Sequence, residues 1–470
     1  CDYWALDLDN IEVACTRQAD CGSSFTCNTT LHVCEPSAAG QQFLVSISNP
    51  NAEEAVATVT HGETGVQTQY TVPPESALPV PLDRLDVGGT GISRHGYRIQ
   101  TELPVSVHQF NPANNAGVYS NDASLLLPTN AAGREYIVLG WPTGPFGVSG
   151  DTFRAHSHAT VVAVGDSEAT ISVTPSVDLQ PIGSGSGITE GNTGSVTLQP
   201  GEILDIQTVN NDHTESNRDY DLTGTIIQST EPILVFFSHE CAFVPDDPVV
   251  GYCDHLEQQL YPVEAWGTRY LIGKTRPRGT EPDYIRVVAA RDNTVTLVEP
   301  QVPALAALNG RTFQAGEMIE IATNLDFEIR ANGPILVGQY MVGSDHQLVS
   351  NHPACSGGIG DPAFLLSVPS SQYRDNYIFL IPEGYEEDYV TVTMPQGTNL
   401  TLDGQSISLT DVETIGATGY VRGYYDFSAV TAPDGPVTHT LTGTQPFGLQ
   451  VYGYDCAVSY AYPGGLNLEP

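Results

Sequence analysis

Two histidines, His156 and His158, stand two residues apart in RAHSHAT, and on a β-strand such residues share a face. Imidazoles so placed supply half of a transition-metal site, and a metal with an activated water is hydrolytic chemistry. His239, Cys241, Cys253 and His255 spell H-x-C and C-x-H, formally four tetrahedral zinc ligands. In an oxidising compartment the two sulfurs are expected to bond to each other instead. Asp7 and Asp9 alternate in the same way and could share a Ca²⁺, although neither they nor the acidic runs at 210–221 and 382–389 follow EF-hand order. The glycine-rich stretch 183–195 lacks the order that cradles phosphate and contains no G-x-S-x-G elbow. No pattern assigns Cys355 a base, and no third ligand lies near His156 and His158 in the sequence. These residues do not add up to a catalytic set, so no enzyme is expected; a metal-dependent hydrolase on His156 and His158 stays only as an alternative.

The elements that must position them recur. SNDASLLLPT at 120, CDHLEQQLYP at 253 and GDPAFLLSVP at 360 share an Asp followed by a hydrophobic run, and CDYWALDL at the N-terminus is read as a further copy. After each comes an aromatic-led strand: QQFLVSIS at 41, REYIVLGWP at 134, TRYLIGKT at 268 and DNYIFLIP at 375. Next come two alternating strands that read as a hairpin, for example ATVVAVGDSEATISVTP and IRVVAARDNTVTLVEP. Each copy ends in a Pro and a buried-looking strand: LPVSVHQF, EPILVFFSHE, GPILVGQY and QPFGLQVYGY. Apolar and polar residues alternate along these segments, which buries one face of each strand. The fold expected is all-β: four tandem antiparallel β-sandwich-like or large blade-like units at 1–120, 121–252, 253–359 and 360–470.

Nine cysteines place the chain in an oxidising compartment. Four of them, Cys15, Cys21, Cys27 and Cys34, fall within an insertion at 14–36 too small to own a core, so two disulfides must hold it, in one of three connectivities. Cys241 and Cys253 form a local pair. By the repeat register Cys456 is expected to bond Cys1 and close the array end to end, with Cys355 left over. The rival allocation pairs Cys355 with Cys456 and leaves Cys1 as the lipid-modified residue of a lipoprotein anchor.

Composition bounds the rest. Fifty-five acidic residues face 17 basic ones, giving a formal net charge of -38, and Lys274 is the single lysine. Such a surface repels nucleic acid and anionic lipid. No run of eighteen apolar residues occurs, so no transmembrane segment is expected.

YWALDLDN, QQFLVSISNP, YRIQTELPVSVHQFNP, SNDASLLLPT, REYIVLGWP and YAYPGGLNL resemble the IgGFc-binding protein N-terminal domain family, in its bacterial secreted and surface members. The likeness runs from Cys1 to about Leu468, with SNDASLLLPT the most distinctive element. It implies an extracellular or cell-surface adhesion or structural binding role without catalysis, for a protein or glycan ligand or for self-association. It brings no binding residues with it, and the cysteine-rich insertion departs from the family pattern. A Ca²⁺-assisted carbohydrate-binding module is the other alternative.

Overall fold

The computed structural model describes residues 1–10, 26–28, 33–35, 42–113, 120–148, 151–182, 187–209, 220–246, 251–428 and 436–468. Its regular structure is antiparallel β with short 3₁₀ turns; one parallel pair joins Asp7–Leu8 to Asp86–Val87. Two sheets of four or five strands make each of four units. In the second unit one sheet holds Gly133–Ile137, Ala169–Thr174 and Gly194–Leu198, and the other holds Ser157–Ala163, Ile203–Gln207 and Asp254–Gln259. One long strand, Ile226–Ala242, belongs to both: its first half pairs with Gly133–Ile137 and Ala169–Thr174, its second half with Ser157–Ala163 and Asp254–Gln259. Phe327–Tyr340 and Val437–Asp455 do the same in the third and fourth units. In the first unit the two halves are separate strands, Tyr97–Thr101 and Ser106–Asn111.

The crossing point carries the prolines seen in the sequence: Pro104, Pro232, Pro334 and Pro446. Proline has no N–H to give a ladder, so it suits a strand that is leaving one sheet for the next. A buried tyrosine locks each crossing. Tyr3, Tyr136, Tyr270 and Tyr377 donate their hydroxyls to the carbonyls just after those prolines, on Val105, Ile233, Ile335 and Phe447. In three units a backbone N–H, of Gly133, Gly267 or Arg374, donates back to the same hydroxyl.

These tyrosines reset the repeat register. Tyr3 in CDYWALDL is the counterpart of Tyr136, Tyr270 and Tyr377, so the N-terminal stretch matches REYIVL and not SNDASLLL. Asp2 is partly exposed and ion-paired with Arg98, whereas Asp122 is fully buried. The counterpart of SNDASLLL in the fourth unit is the last strand, Val458–Pro463. Each such strand pairs with the long strand before it, so hydrogen bonding crosses 120/121, 252/253 and 359/360. The expected hairpins are arches: Ser157–Ala163 and Ala169–Thr174 both flank the long strand, in different sheets, and do not pair with each other.

The four Asp-led or closing strands, Asp122–Leu126, Asp254–Gln259, Phe364–Leu366 and Val458–Pro463, meet at the centre of the molecule, where side chains replace a ladder. Asp122 Oδ1 accepts the N–H of Ala123 (2.9 Å) and Ala461 (3.0 Å), and Oδ2 accepts that of Glu257 (3.1 Å) and Phe364 (3.3 Å). One carboxylate thus receives one donor from every central strand. Gln258 Nε2 does the converse, donating to the carbonyls of Ala123, Phe364 and Ala461. The apolar cores run on around this axis: the first unit's takes in Val162, Leu234 and Phe236 of the second, and the fourth unit's takes in Phe110 and Ala123 of the first.

The end-to-end closure is therefore made by packing and not by the expected disulfide. Cys456 is bonded to Cys355, and Cys1 carries a free, exposed thiol. The reason is the register shift: Cys1 leads into Asp2–Ala5, its ammonium donates to the Thr101 carbonyl, and it has no place at the far end of the fourth long strand. Cys241 is bonded to Cys253. Cys27 is disulfide-bonded and lies opposite Cys34 in backbone register; Cys15, Cys21 and the side chain of Cys34 lie outside the described residues.

Two predictions follow from the register. Iodoacetamide should alkylate Cys1 on the native protein, and a non-reduced peptide map should join Cys355 to Cys456; a Cys1–Cys456 peptide would refute the pairing. Asp122→Asn turns an acceptor oxygen into an NH₂ group facing N–H donors, so it should lower the unfolding free energy by about 3 kcal/mol. A loss under about 1 kcal/mol in denaturant titrations would mean that these four donors do not need the carboxylate.

Candidate functional site

Two clusters of buried ionisable groups stand out. At the axis, burial drives the carboxyls of Asp122, Asp254 and Glu257 well above the ordinary carboxylate range; for Asp254 the neighbouring Asp361 charge adds to it. Asp254 accepts the N–H groups of Asn121 (2.7 Å) and Ser459 (3.0 Å), and Asp361 accepts that of Ser344 (3.1 Å). Burial pushes Asp361 up to about 8 and likewise Asp388, which accepts the Tyr460 hydroxyl at 2.9 Å. Every described hydrogen bond to Asp122 comes from an N–H donor and opposes its shift, as suits a carboxylate more than a carboxylic acid. These groups join strands at the centre of the molecule.

The second place lies between the first and second units. His158, on Ser157–Ala163, is fully buried; its Nδ1 is 2.8 Å from Asp205 Oδ2 and its Nε2 is 3.3 Å from Glu240 Oε1. Asp205 also accepts the Thr160 hydroxyl at 2.7 Å. Glu240, near the end of the long strand, accepts the backbone N–H of His156 (2.9 Å) and faces that residue's Nδ1 at 3.1 Å. Gln207 places its amide Nε2 3.1 Å from His158 Nε2. Asp9 completes the group, since one ligand atom each from Asp9, His158 and Glu240 lie within 4.8 Å of one another. Burial disfavours a charged His158, but Asp205 and Glu240 outweigh it and hold its pKa well above the usual value; Glu240 is in turn held well below the carboxylate range against its own desolvation.

The sequence paired His156 with His158, and the structure brings both rings to Glu240 with centroids 6.3 Å apart. It gives Asp7 and Asp9 different neighbours. Asp7 is buried against Arg84, with Nε at 2.7 Å and the Leu85 N–H at 2.8 Å, and burial raises its pKa to about 7. A Ca²⁺ shared by Asp7 and Asp9 is not what these contacts build. His239 donates to, or accepts from, none of the metal-type ligands above: its Nε2 lies 3.0 Å from the Pro142 carbonyl, and the bridged sulfurs of Cys241 and Cys253 remove the tetrahedral zinc set. Glu240 and Asp205 escaped the sequence reading. The usable signal was a lone carboxylate in an otherwise apolar strand, in ILVFFSHECA and ILDIQ, since a buried charge needs a partner.

Four joined β units with a buried polar cluster between two of them define an all-β scaffold of repeated units, and its relatives give it a family. The IgGFc binding protein family model matches residues 122–453, and this chain belongs to that family. The human IgGFc-binding protein is 25% identical over 419 residues, which is 88% of this chain and 7% of the human protein, so the chain spans a small part of that relative's length. No solved structure matches. Among the described residues no helix is long and apolar enough to cross a membrane.

The axial carboxyls make stability pH-dependent. Asp388, at about 8 when folded against 3.8 for an ordinary Asp, keeps a proton that the unfolded chain releases. Its contribution is full below about pH 4 and is lost as pH rises through 8, with Asp361 acting in the same direction. His108, His239 and His255, lowered to about 3, 4 and 3, work in the opposite sense but below pH 6.5. The unfolding free energy should therefore fall between about pH 6.5 and 8.5, and less steeply in Asp388→Asn, which keeps the acceptor for Tyr460. Equal slopes for the two proteins would show that Asp388 does not carry this dependence.

Proposed function

We propose that the chain is an extracellular binding protein that recognises a protein ligand and performs no catalysis, as an adhesive or structural component at a cell surface. The observation that carries this reading is the family match over residues 122–453, in a family named for binding an immunoglobulin segment and not for a reaction. Two disulfides among the described residues support an oxidising, extracellular setting. An immunoglobulin Fc is the ligand that the human relative's name designates, and it is the first to test. A bacterial surface as the setting rests only on the sequence reading.

Charge adds a physical expectation about the partner. The formal net charge is -38, and several of the few basic groups are spent inside the fold: Lys274 on Asp283 (2.7 Å), Arg286 on Asp221 and Glu320 (2.7 and 2.8 Å), Arg422 on Asp326 (2.8 Å). The exterior is left strongly acidic, so it selects a partner with a basic face and steers its approach.

Biosensor titration of the full chain against immobilised Fc and Fab tests both statements. Saturable binding to Fc and not to Fab is expected, with an association rate that falls as salt rises. No binding to Fc would refute it as the ligand, and a rate indifferent to salt would refute electrostatic steering.

A further inference from the structure

We propose that Asp9, His158 and Glu240 form a divalent transition-metal site, of the zinc class, that clasps the first unit to the second. Asp9 follows the short strand Asp7–Leu8 of the first unit, while His158 and Glu240 sit on adjacent paired strands of the second, where Ser157 and His158 face His239 and Ser238. One imidazole nitrogen and two carboxylate oxygens, contributed by segments far apart in sequence, lie within 4.8 Å of one another, with His158 fully buried and the two carboxylates partly so.

The orientation of His158 is what a metal ligand requires. Its Nδ1 is engaged by Asp205 at 2.8 Å, and Asp205 is itself fixed by Thr160 at 2.7 Å. A carboxylate on the far nitrogen sets the tautomer, so that Nδ1 carries the proton and the Nε2 lone pair points at the site. That lone pair then faces Glu240 Oε1 at 3.3 Å, acceptor against acceptor. A metal ion or a proton between them relieves this, in competition with the Gln207 amide group, whose Nε2 lies 3.1 Å from the same nitrogen. Tetrahedral bonds of about 2.0–2.1 Å keep two ligand atoms roughly 3.3–3.4 Å apart, so the observed separation suits a zinc-type ion without rearrangement.

Ligand type argues for a transition ion over Ca²⁺, which takes oxygen ligands in larger number. Charge favours a dication: Asp9, Asp205 and Glu240 are three carboxylates against one imidazole, with His156 alongside Glu240. The backbone is shaped to the group as well. A Cβ on Gly88 would lie 2.3 Å from Asp9 Oδ2, so the backbone after Asp86–Val87 packs directly against that carboxylate.

The test uses the full chain, stripped with chelator, re-exposed to Zn²⁺ and passed through gel filtration, with metal content and thermal unfolding measured. It is run in a Cys1→Ser background to remove the exposed thiol as a competing zinc ligand. One retained equivalent of zinc and a raised melting temperature are expected, and both should be lost in Asp9→Asn and in Glu240→Gln. Co²⁺ in place of Zn²⁺ should give visible ligand-field bands that Asp9→Asn abolishes; because Asp9 is only partly buried, that variant keeps the test valid if Glu240→Gln fails to fold. No retained metal in the parent protein, which is the outcome if a proton fills the gap, overturns the proposal. So does retention by Asp9→Asn equal to the parent's.

Discussion

A strand buried at the centre of a molecule must satisfy the N–H and C=O groups on the edge that no neighbouring strand pairs. Here four such edges converge, and Asp122 and Gln258 answer them, the carboxylate collecting four N–H groups and the amide three carbonyls. Placing a carboxyl in that position is costly in desolvation, a cost that the convergence of donors offsets in part. The central strands can be as short as the three residues of Phe364–Leu366 because side chains, not ladder length, anchor them.

Joints between neighbouring units repeat a second device. Gly133 and Gly267 lie against Pro262 and Pro369, the prolines after the next central strand, where an added Cβ would stand 2.3 and 2.2 Å from the ring carbon. Around these contacts the scarce cations act as ties. Arg286 of the third unit reaches Asp221 and the Gly140 carbonyl of the second and lies 4.2 Å from the centre of the Trp141 ring; Arg422 of the fourth reaches Asp326 of the third. Some of the few basic residues thus serve as ties at joints, while others, such as Arg134 and Arg330, stay exposed.

Much of this was legible, and the failures have physical causes. Proline marks the crossing strands in the sequence because its missing N–H confines it to such places, and alternation marks the arms of the arches. An arch and a hairpin, however, have the same alternation and the same turn residues; only pairing partners distinguish them. The register failed at the N-terminus because an Asp beside hydrophobic residues is a weak signature, whereas the tyrosine whose hydroxyl holds the crossing carbonyl is the stronger one, and Tyr3 carries it. The cysteine assignment inherited that shift. At the site, His156 and His158 were visible by spacing, but Asp205 and Glu240 are 47 and 82 residues from His158 and reach it only through the pairing of Ser157–Ala163 with strands on either side.

The axial arrangement also decides how the repeats relate energetically. In an open array each repeat touches its neighbours alone, and stability adds up along the row. In this ring Asp122, contributed at the end of the first unit, is satisfied by residues of the second, third and fourth, so no unit can complete its central strand without the others. The family match from 122 to 453 therefore does not outline a self-sufficient body: it leaves out the first sandwich and the closing strand whose Ala461 N–H Asp122 accepts. The Cys355–Cys456 bridge ties the segment before the third central strand to the turn before the fourth across 101 residues. In the chain-entropy view a loop of that length restricts the unfolded state by up to about 4.7 kcal/mol, against about 3 for the local bridge between Cys241 and Cys253. The larger constraint thus falls beside Val458–Pro463, the strand that closes the ring.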